Sequence, residues 1–347
     1  MSLGLAVMAV GAILFIPAAQ GRNYPLFLVG LFIIGTGLTI LQTASNPYAA
    51  IIGPIESAAS RISILGICNK VAGILAGLIF GSIALKDADK LLEQMKTMDP
   101  AARNATLQDL SQRVVNPYII ISIVLVLLAV AVYFSSLPEI KDDAEVTDSE
   151  GNVVEDRSGI LRYPHLLLGV LAIFVYVGVE VMAGDTIISY GKSLGIPLAT
   201  ARYFTQGTLG CMLAGYLLGI ALIPKFISQQ KALRIAAILG TLFVIVAVCG
   251  STYVSIVFIA LLGFANAIMW PAIWPLAITG LGRHTKMGSA LLVMGIAGGA
   301  ILPPLYGKLS EIVSIGSQKA YLIMVPCYLY ILYYSVTGYR AGLDKKR

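Results

Sequence analysis

The sequence predicts an all-α, polytopic membrane protein with about ten transmembrane helices. Of its 347 residues, 58% are hydrophobic and only 12% are charged, whereas about a quarter of the residues in an ordinary soluble domain carry a charge. Apolar runs of the length that crosses a bilayer, roughly 20 residues, follow one another with short polar interruptions. The runs are continuously apolar instead of alternating, which favours helices over the strands of a membrane barrel.

Ten apolar runs are predicted to form the spans. They are residues 3–19, 26–44, 62–85, 118–137, 166–183, 204–223, 235–249, 253–278, 287–306 and 321–336. The first is predicted to be a span and not a signal peptide, because no basic residue precedes it and no A-x-A-like cleavage site follows it. The four cysteines lie within these runs at no metal-ligand spacing, so neither disulfides nor a zinc site is expected.

Lysine and arginine counts in alternate loops predict the orientation of the chain. Thirteen lie on the side that carries the C-terminus, and nine lie on the other side, five of them in one long loop. Basic residues in short loops mark the cytoplasmic side, whereas long loops carry little orientation signal. A cytoplasmic C-terminus is therefore expected. The basic residues are scattered over loops and tail without an interleaved aromatic face, so a nucleic-acid partner is not expected.

Two longer polar segments divide the spans. Residues 86–113 are rich in Ala, Leu, Gln and charge, and are predicted to form an external helical cap. Residues 138–162 are acidic and contain a Gly-Asn pair, which predicts a cytoplasmic linker. The predicted domains are residues 1–137 with four spans, the linker at 138–162, and residues 163–347 with six spans.

An internal repeat relates the two halves. Pro47 bends the end of the second span, and Arg61 precedes a glycine-rich span that reaches Gly81. Pro271 occupies the corresponding place in the second half, followed by a basic loop and a glycine-rich span that reaches Gly307. Parallel repeats of this kind are typical of facilitator-type transporters. If six spans make one complete unit, residues 1–137 are a unit without its first two helices.

Two residues that are charged at neutral pH lie inside predicted spans, Lys70 in the third and Glu180 in the fifth. Such groups cost about 2.5 to 3.5 kcal/mol each to insert, so they indicate function. A carboxylate at this depth could change its protonation as access to water alternates, which is the requirement for coupling to a proton. A structural salt bridge is the competing interpretation for both residues.

Amide and indole side chains predict a site for a neutral polar ligand such as a sugar. Asn266, Trp270 and Trp274 follow each other at four-residue steps and share one helix face. They combine an amide donor and acceptor with two flat apolar rings. The competing interpretation for the tryptophans is an interfacial belt. The corresponding amides of the first half are Gln42, Asn46 and Asn69, which could equally hold helices together.

Catalytic motifs are missing from the sequence. The two histidines form no H-E-x-x-H pattern, and no phosphate-binding Walker loop occurs. An enzyme is therefore not expected, and no metal is predicted.

Several motifs together resemble the fucose, galactose and glucose symporter family of the major facilitator superfamily. They are Gln42-Thr43-Ala44-Ser45-Asn46-Pro47-Tyr48, Gly53-Pro54, Asn69-Lys70, Val177-Gly178-Val179-Glu180-Val181, Asn266-Ala267-Ile268-Met269-Trp270-Pro271 and the glycine-rich run from Gly288 to Leu305. The resemblance covers essentially the whole chain. It implies a monomeric secondary transporter in the cytoplasmic membrane that moves a neutral hexose with H⁺ or Na⁺ and needs no other cofactor. This chain would correspond to helices three to twelve of twelve.

One departure from the fucose-type pattern changes the expected mechanism. Fucose-type members carry an acid at the position matched here by Gln42, and a further acid in a helix that has no counterpart in this chain. The combination of Gln42 and Lys70 is more similar to the glucose and galactose branch. An N-acetylated hexose stays an alternative substrate. Glu180 is then the acid expected to couple the ion. The alternative hypothesis is a truncated, transport-inactive chain or a transporter-derived membrane sensor or interaction protein.

Overall fold

The computed structural model describes residues 1–84, 94, 95, 97–135 and 159–343 of the chain. Every regular element in this part is helical, and ten helical stretches are long and apolar enough to cross a membrane. The predicted all-helical fold and number of spans are confirmed. The linker predicted at 138–162 lies outside the described residues up to position 158, as does most of the first third of the cap predicted at 86–113.

The α-helices are numbered here in chain order, and 3-10 or π-helical turns join several of them within one span. They are α1 (Ser2–Gln20), α2 (Tyr24–Ile51), α3 (Ala58–Ala84), α4 (Pro100–Gln112), α5 (Val115–Tyr133), α6 (Pro164–Val181), α7 (Ile187–Ser193), α8 (Leu198–Leu222), α9 (Gln229–Cys249), α10 (Thr252–Asn266), α11 (Met269–Ile278), α12 (Thr285–Met294), α13 (Gly298–Glu311), α14 (Gly316–Lys319) and α15 (Met324–Val336).

Polar side chains cap two helices at residues outside the predicted apolar runs. The side chain of Asp99 accepts a hydrogen bond from the Ala102 amide and begins α4 within the predicted cap. Ser228 caps α9 in the same way, seven residues before the apolar run that predicted this span. Such caps satisfy amides that have no partner within the helix.

The chain forms two compact units, and their boundaries fall within α2 and α3. Unit 1 comprises Met1–Ser45 and Ala72–Ile140, and unit 2 comprises Asn46–Val71 and Lys141–Arg347. In unit 1, α1 packs against α5. Phe15 is 1% exposed there, and its ring centroid lies 4.4 Å from that of Tyr118 and 4.5 Å from that of Phe27.

Helix α6 forms the centre of unit 2, where it packs against α11, α13 and α15. The approach of α13 is so close that a Cβ atom on Gly298 would overlap the carbonyl oxygen of Phe174. Farther along the same helix, Gly307 faces open space. The glycine at position 298 is therefore required by packing, which only a backbone without a side chain permits.

Two membrane helices of unit 2 are interrupted near the residues predicted to be functional. Beyond α6 the chain passes through a π-helical turn at Met182–Thr186 before α7 begins. The eighth span, predicted to be one proline-bent helix, breaks between α10 and α11. Pro271 has no amide hydrogen to bond the carbonyl of Ala267, which explains a break at this point.

Arg61 closes the connection between α2 and α3, also within unit 2. Its guanidinium donates hydrogen bonds to four backbone carbonyls and to one hydroxyl. The acceptors are Ala49 O at 2.8 Å, Ala50 O at 2.6 Å, Gly53 O at 3.1 Å, Pro54 O at 3.0 Å and Ser57 Oγ at 2.6 Å. A cation at the C-terminus of α2 also complements the helix dipole. The contacts fix the start of α3, the helix that carries Lys70.

Candidate functional site

Lys70 and Glu180 form an ion pair inside unit 2. The Lys70 Nζ atom lies 2.6 Å from Glu180 Oε1, and the side chains are 17% and 19% exposed. The other carboxylate oxygen, Oε2, accepts a hydrogen bond from the Tyr176 hydroxyl. Both oxygens of Glu180 are therefore held by donors, while part of the pair stays exposed. The two intramembrane charges found in the sequence come together although 110 residues separate them.

Helix α6 presents Tyr176 and Glu180 on one face, because residues four apart lie one above the other. Tyr176 is 1% exposed, so its ring fixes the position of the hydroxyl beside the carboxylate. The π-helical turn begins two residues after Glu180. Turns of this type often occur at functional sites in helices.

Aromatic rings continue from the ion pair toward α11. The Trp270 ring lies 6.3 Å from the Tyr176 ring, centroid to centroid. Trp274 lies 5.1 Å beyond Trp270, with an angle of 33° between the ring planes. Trp270 is half-buried, whereas Trp274 is fully buried, so Trp274 does not belong to a lipid-facing belt.

Asn266 is fully buried near the break between α10 and α11. Its Oδ1 atom accepts a hydrogen bond of 2.8 Å from the Tyr328 hydroxyl. Within the described part of the chain, its Nδ2 atom and the Trp274 Nε1 atom are buried donors without an acceptor. A buried donor without an acceptor costs about 1 to 3 kcal/mol. A polar ligand or water would remove that cost.

The three amides predicted from the first half have different environments. Asn46 is 8% exposed, and Asn69, next to Lys70 in the chain, is exposed. Neither side chain is hydrogen-bonded to the ion pair among the described residues. Gln42 belongs to unit 1, where its Oε1 atom is buried and has no donor in the part of the chain that the structure describes. The structure thus brings together Lys70, Glu180, Trp270 and Trp274, while the roles of the amides stay predictions.

The sequence interpretation missed three tyrosines of this region. Tyr176 could have been found, since it lies four residues before Glu180. Tyr328 contacts Asn266 across 62 residues, and no local pattern indicates this contact. Tyr216 of α8 packs so tightly on α3 that a Cβ atom at Gly66 would lie 2.5 Å from its Cζ atom.

A metal centre has no support in the described residues. No group of three or more His, Cys, Asp or Glu side chains within them could hold a metal ion.

Comparison with known proteins identifies the family. The family model of the Major Facilitator Superfamily matches residues 1–304. The glucose/galactose transporter of Brucella abortus is 32% identical over 339 residues, which are 97% of this chain and 77% of the relative. The L-fucose-proton symporter of Escherichia coli is 32% identical over 311 residues, or 89% of this chain and 71% of the relative.

A solved structure of a transporter from the same superfamily also matches this chain. The crystal structure of the transporter FucP in the outward conformation matches with a TM-score of 0.82 and 30% identity, covering 96% of this chain and 81% of FucP. The resemblance predicted from the motifs is confirmed, as are the fold and the prediction that the chain is not an enzyme. Ten apolar helices agree with a multi-pass membrane protein. The chain belongs to the major facilitator superfamily.

Proposed function

We propose that this protein carries a neutral hexose, of the glucose or galactose type, across the cytoplasmic membrane by ion symport and alternating access. The observation that carries the proposal is the Lys70–Glu180 ion pair, a partly exposed charge pair within membrane-spanning helices. Tyr176 donates a hydrogen bond to Glu180, and its ring lies beside the ring of Trp270. The charge pair is therefore close to a flat apolar surface of the kind that binds a sugar ring. The names of the relatives, which are sugar transporters and symporters, support the same substrate class.

The ion pair suggests how an ion and a sugar are coupled. Lys70 acts as a built-in cation that competes with H⁺ or Na⁺ for the carboxylate of Glu180. Ions interact more strongly where water is scarce, so an incoming ion displaces Lys70 only when the site opens to an aqueous side. With the coupling ion bound, the Lys70 ammonium becomes available to hydroxyl groups of the sugar.

Sugar binding is assigned to the aromatic and amide residues. The exposed part of the Trp270 ring would stack on the sugar, and Trp274 supports that ring from behind. Gln42, Asn46, Asn69 and Asn266 are proposed to donate and accept hydrogen bonds with its hydroxyls. Tyr176 contacts Trp270 and also donates a hydrogen bond to Glu180. A sugar that shifts the Trp270 ring would therefore alter the hydrogen bond to the carboxylate.

The proposal also covers the oligomeric state, the orientation in the membrane and the division into helical bundles. The protein functions as a monomer with its C-terminus in the cytoplasm. Residues 1–137 form the N-terminal helical bundle, 138–162 a cytoplasmic linker, and 163–347 the C-terminal six-helix bundle.

The test is transport by the purified protein in liposomes, with Glu180→Gln against the unmodified chain. The variant should lose sugar accumulation driven by an ion gradient and keep sugar exchange at equal concentrations on both sides. Asp109→Asn, which removes an exposed acid on α4, is the matched control and should keep both activities. Accumulation that survives Glu180→Gln would rule out the coupling role.

Radiolabelled glucose, galactose and N-acetylglucosamine identify the sugar, and proton and sodium gradients applied separately identify the ion. The same assay is run on a form extended by two N-terminal helices. Sugar uptake by either form supports the transporter. Uptake by neither would favour the sensor or interaction role that the sequence left open.

A further inference from the structure

Asp185 is a second acid beside the Lys70–Glu180 pair. It lies five residues after Glu180, within the same membrane-spanning stretch Pro164–Ser193. It is close enough to Lys70 and to Glu180 to interact electrostatically with both of them. Among the described residues, however, Asp185 forms no ion pair of its own. The ammonium of Lys70 therefore has two carboxylates in its surroundings and is bonded to one.

The π-helical turn explains why Asp185 approaches the side of the helix that carries Glu180. Residues five apart in an α-helix point about 140° away from each other, because each residue turns the helix by about 100°. A π-helical turn joins residues five apart by its hydrogen bonds, so it accommodates one extra residue and rotates the following side chains back. The turn at Met182–Thr186 therefore brings Asp185 toward Glu180.

Neighbouring helices hold this turn in place on both sides of Asp185. The Thr205 hydroxyl of α8 donates a hydrogen bond of 2.7 Å to the carbonyl of Gly184. The Thr186 Oγ1 atom lies 2.7 Å from the hydroxyl of Tyr321. The residues before and after Asp185 are thus fixed by side chains from other helices, so its backbone stays beside the ion pair.

The two carboxylates differ in exposure. Asp185 is exposed, whereas the side chains of Lys70 and Glu180 are only 17% and 19% exposed. Ionisable residues in membrane spans face the bundle interior or water, because contact with lipid is costly. Lysine suits an exchange between two carboxylates, since its ammonium is a compact charge on a flexible four-carbon stem.

We propose that Asp185 is the second partner of Lys70 and holds its ammonium while the coupling ion occupies Glu180. This inference rests on the proposed function, in which the coupling ion displaces Lys70 from that carboxylate. Without a second carboxylate, the displaced ammonium would be a charge without a counter-ion inside the membrane.

The charges of the three side chains agree with one coupling ion. In their ionised forms, Lys70, Glu180 and Asp185 together carry one net negative charge, so one bound H⁺ or Na⁺ makes the group neutral. The ion then lies on Glu180 and the ammonium on Asp185. An ammonium has three donors, so Lys70 can bond Asp185 and a sugar hydroxyl at the same time.

The first test is a double-mutant cycle between Lys70 and Asp185, measured by dodecyl sulfate unfolding with and without Glu180. While Glu180 holds the ammonium, Asp185→Asn should change the folding equilibrium constant by less than about three-fold. In a Glu180→Gln background Lys70 turns to Asp185, so Asp185→Asn should lower this constant about ten-fold. Adding Lys70→Met should abolish the ten-fold loss, which a purely structural role of Asp185 would not predict.

Glu311→Gln is the matched control. It removes an exposed acid at the end of α13, within the same unit. It should change the folding constant by less than about three-fold in both backgrounds. If Glu180→Gln does not fold, Glu180→Met takes its place, because methionine favours helices and also removes the carboxylate.

The second test is uptake of radiolabelled galactose by the purified chain in liposomes, over a series of external sodium concentrations and, separately, of external pH values. Asp185→Asn should raise the half-saturating concentration of the coupling ion about ten-fold, because the ion-loaded state loses the counter-ion of Lys70. Asp185→Glu, which keeps the carboxylate, should bring it back to within about three-fold, and Glu311→Gln should not change it.

A loss by Asp185→Asn that is equal with and without Glu180, or that persists after Lys70→Met, would overturn the proposal. An unchanged half-saturating ion concentration in an Asp185→Asn variant that transports sugar would also overturn it. If the unmodified chain transports no sugar, the proposed function fails, while the unfolding cycle still decides whether Asp185 is a partner of Lys70.

Discussion

Removing Lys70 should destabilise the protein far more than removing a cation from its surface. Lys70→Met leaves the Glu180 carboxylate within the helices with the Tyr176 hydroxyl as its remaining partner in the cluster. Breaking a fully buried ion pair costs about 3 to 5 kcal/mol. Because the two side chains are still 17% and 19% exposed, water offsets part of that cost. We expect the free energy of unfolding to fall by about 2 to 4 kcal/mol.

A double-mutant cycle isolates the contribution of the pair. Glu180→Gln leaves the Lys70 ammonium without its carboxylate and should cost a similar amount. The double variant Lys70→Met/Glu180→Gln contains no unbalanced charge, so its loss should be smaller than the sum of the single losses. The interaction energy from this cycle should be about 2 kcal/mol.

The cycle is measured by titrating dodecyl sulfate into mixed micelles and following helix content by circular dichroism. The Arg113–Asp109 pair is the matched control, since its N to O distance of 2.8 Å is close to the 2.6 Å of Lys70 and Glu180, but its side chains are 30% and 63% exposed. Its cycle, with Arg113→Met and Asp109→Asn, should give at most about 0.5 kcal/mol. An interaction energy for Lys70 and Glu180 no larger than that of the control would refute the reasoning.

Three further predictions concern packing and hydrogen bonds, and the same unfolding titration checks each. Gly298→Ala should lose about 1 to 3 kcal/mol because its Cβ atom meets a backbone carbonyl, while Gly307→Ala, on the same helix in open space, should gain up to about 1 kcal/mol; equal effects would contradict the close approach. Arg61→Lys should lose about 2 to 3 kcal/mol, since an ammonium cannot reproduce the five bonds of the guanidinium fork, and full stability would contradict the capping role. Tyr328→Phe should cost about 1 to 3 kcal/mol by leaving the buried Oδ1 of Asn266 without its donor, and this loss should vanish in an Asn266→Leu background.

Local properties of the chain made the spans predictable. The free energy of placing a segment in a bilayer depends mainly on its own composition and length, and all ten predicted spans correspond to helices of the structure. Their ends were less predictable. Asp99 and Ser228 begin helices through side-chain caps, and these depend on a particular bond and not on hydrophobicity.

The candidate site was predictable only in its separate parts. Lys70 and Glu180 are conspicuous in the sequence because an ionisable group in a span is costly wherever its partner lies. Their pairing, and the choice between an ion pair and two independent groups, depends on which faces of α3 and α6 meet. The same holds for Tyr328, which reaches Asn266 from a distant helix.

By itself, the sequence determined a ten-helix membrane protein, its resemblance to sugar symporters and the residues worth testing, because composition, insertion cost and short motifs are properties of neighbouring residues. The tertiary structure decided which of these residues touch. It paired Lys70 with Glu180 and buried Trp274 behind Trp270. These features arise from contacts between helices far apart in the chain, and such contacts leave no periodic signal in either segment.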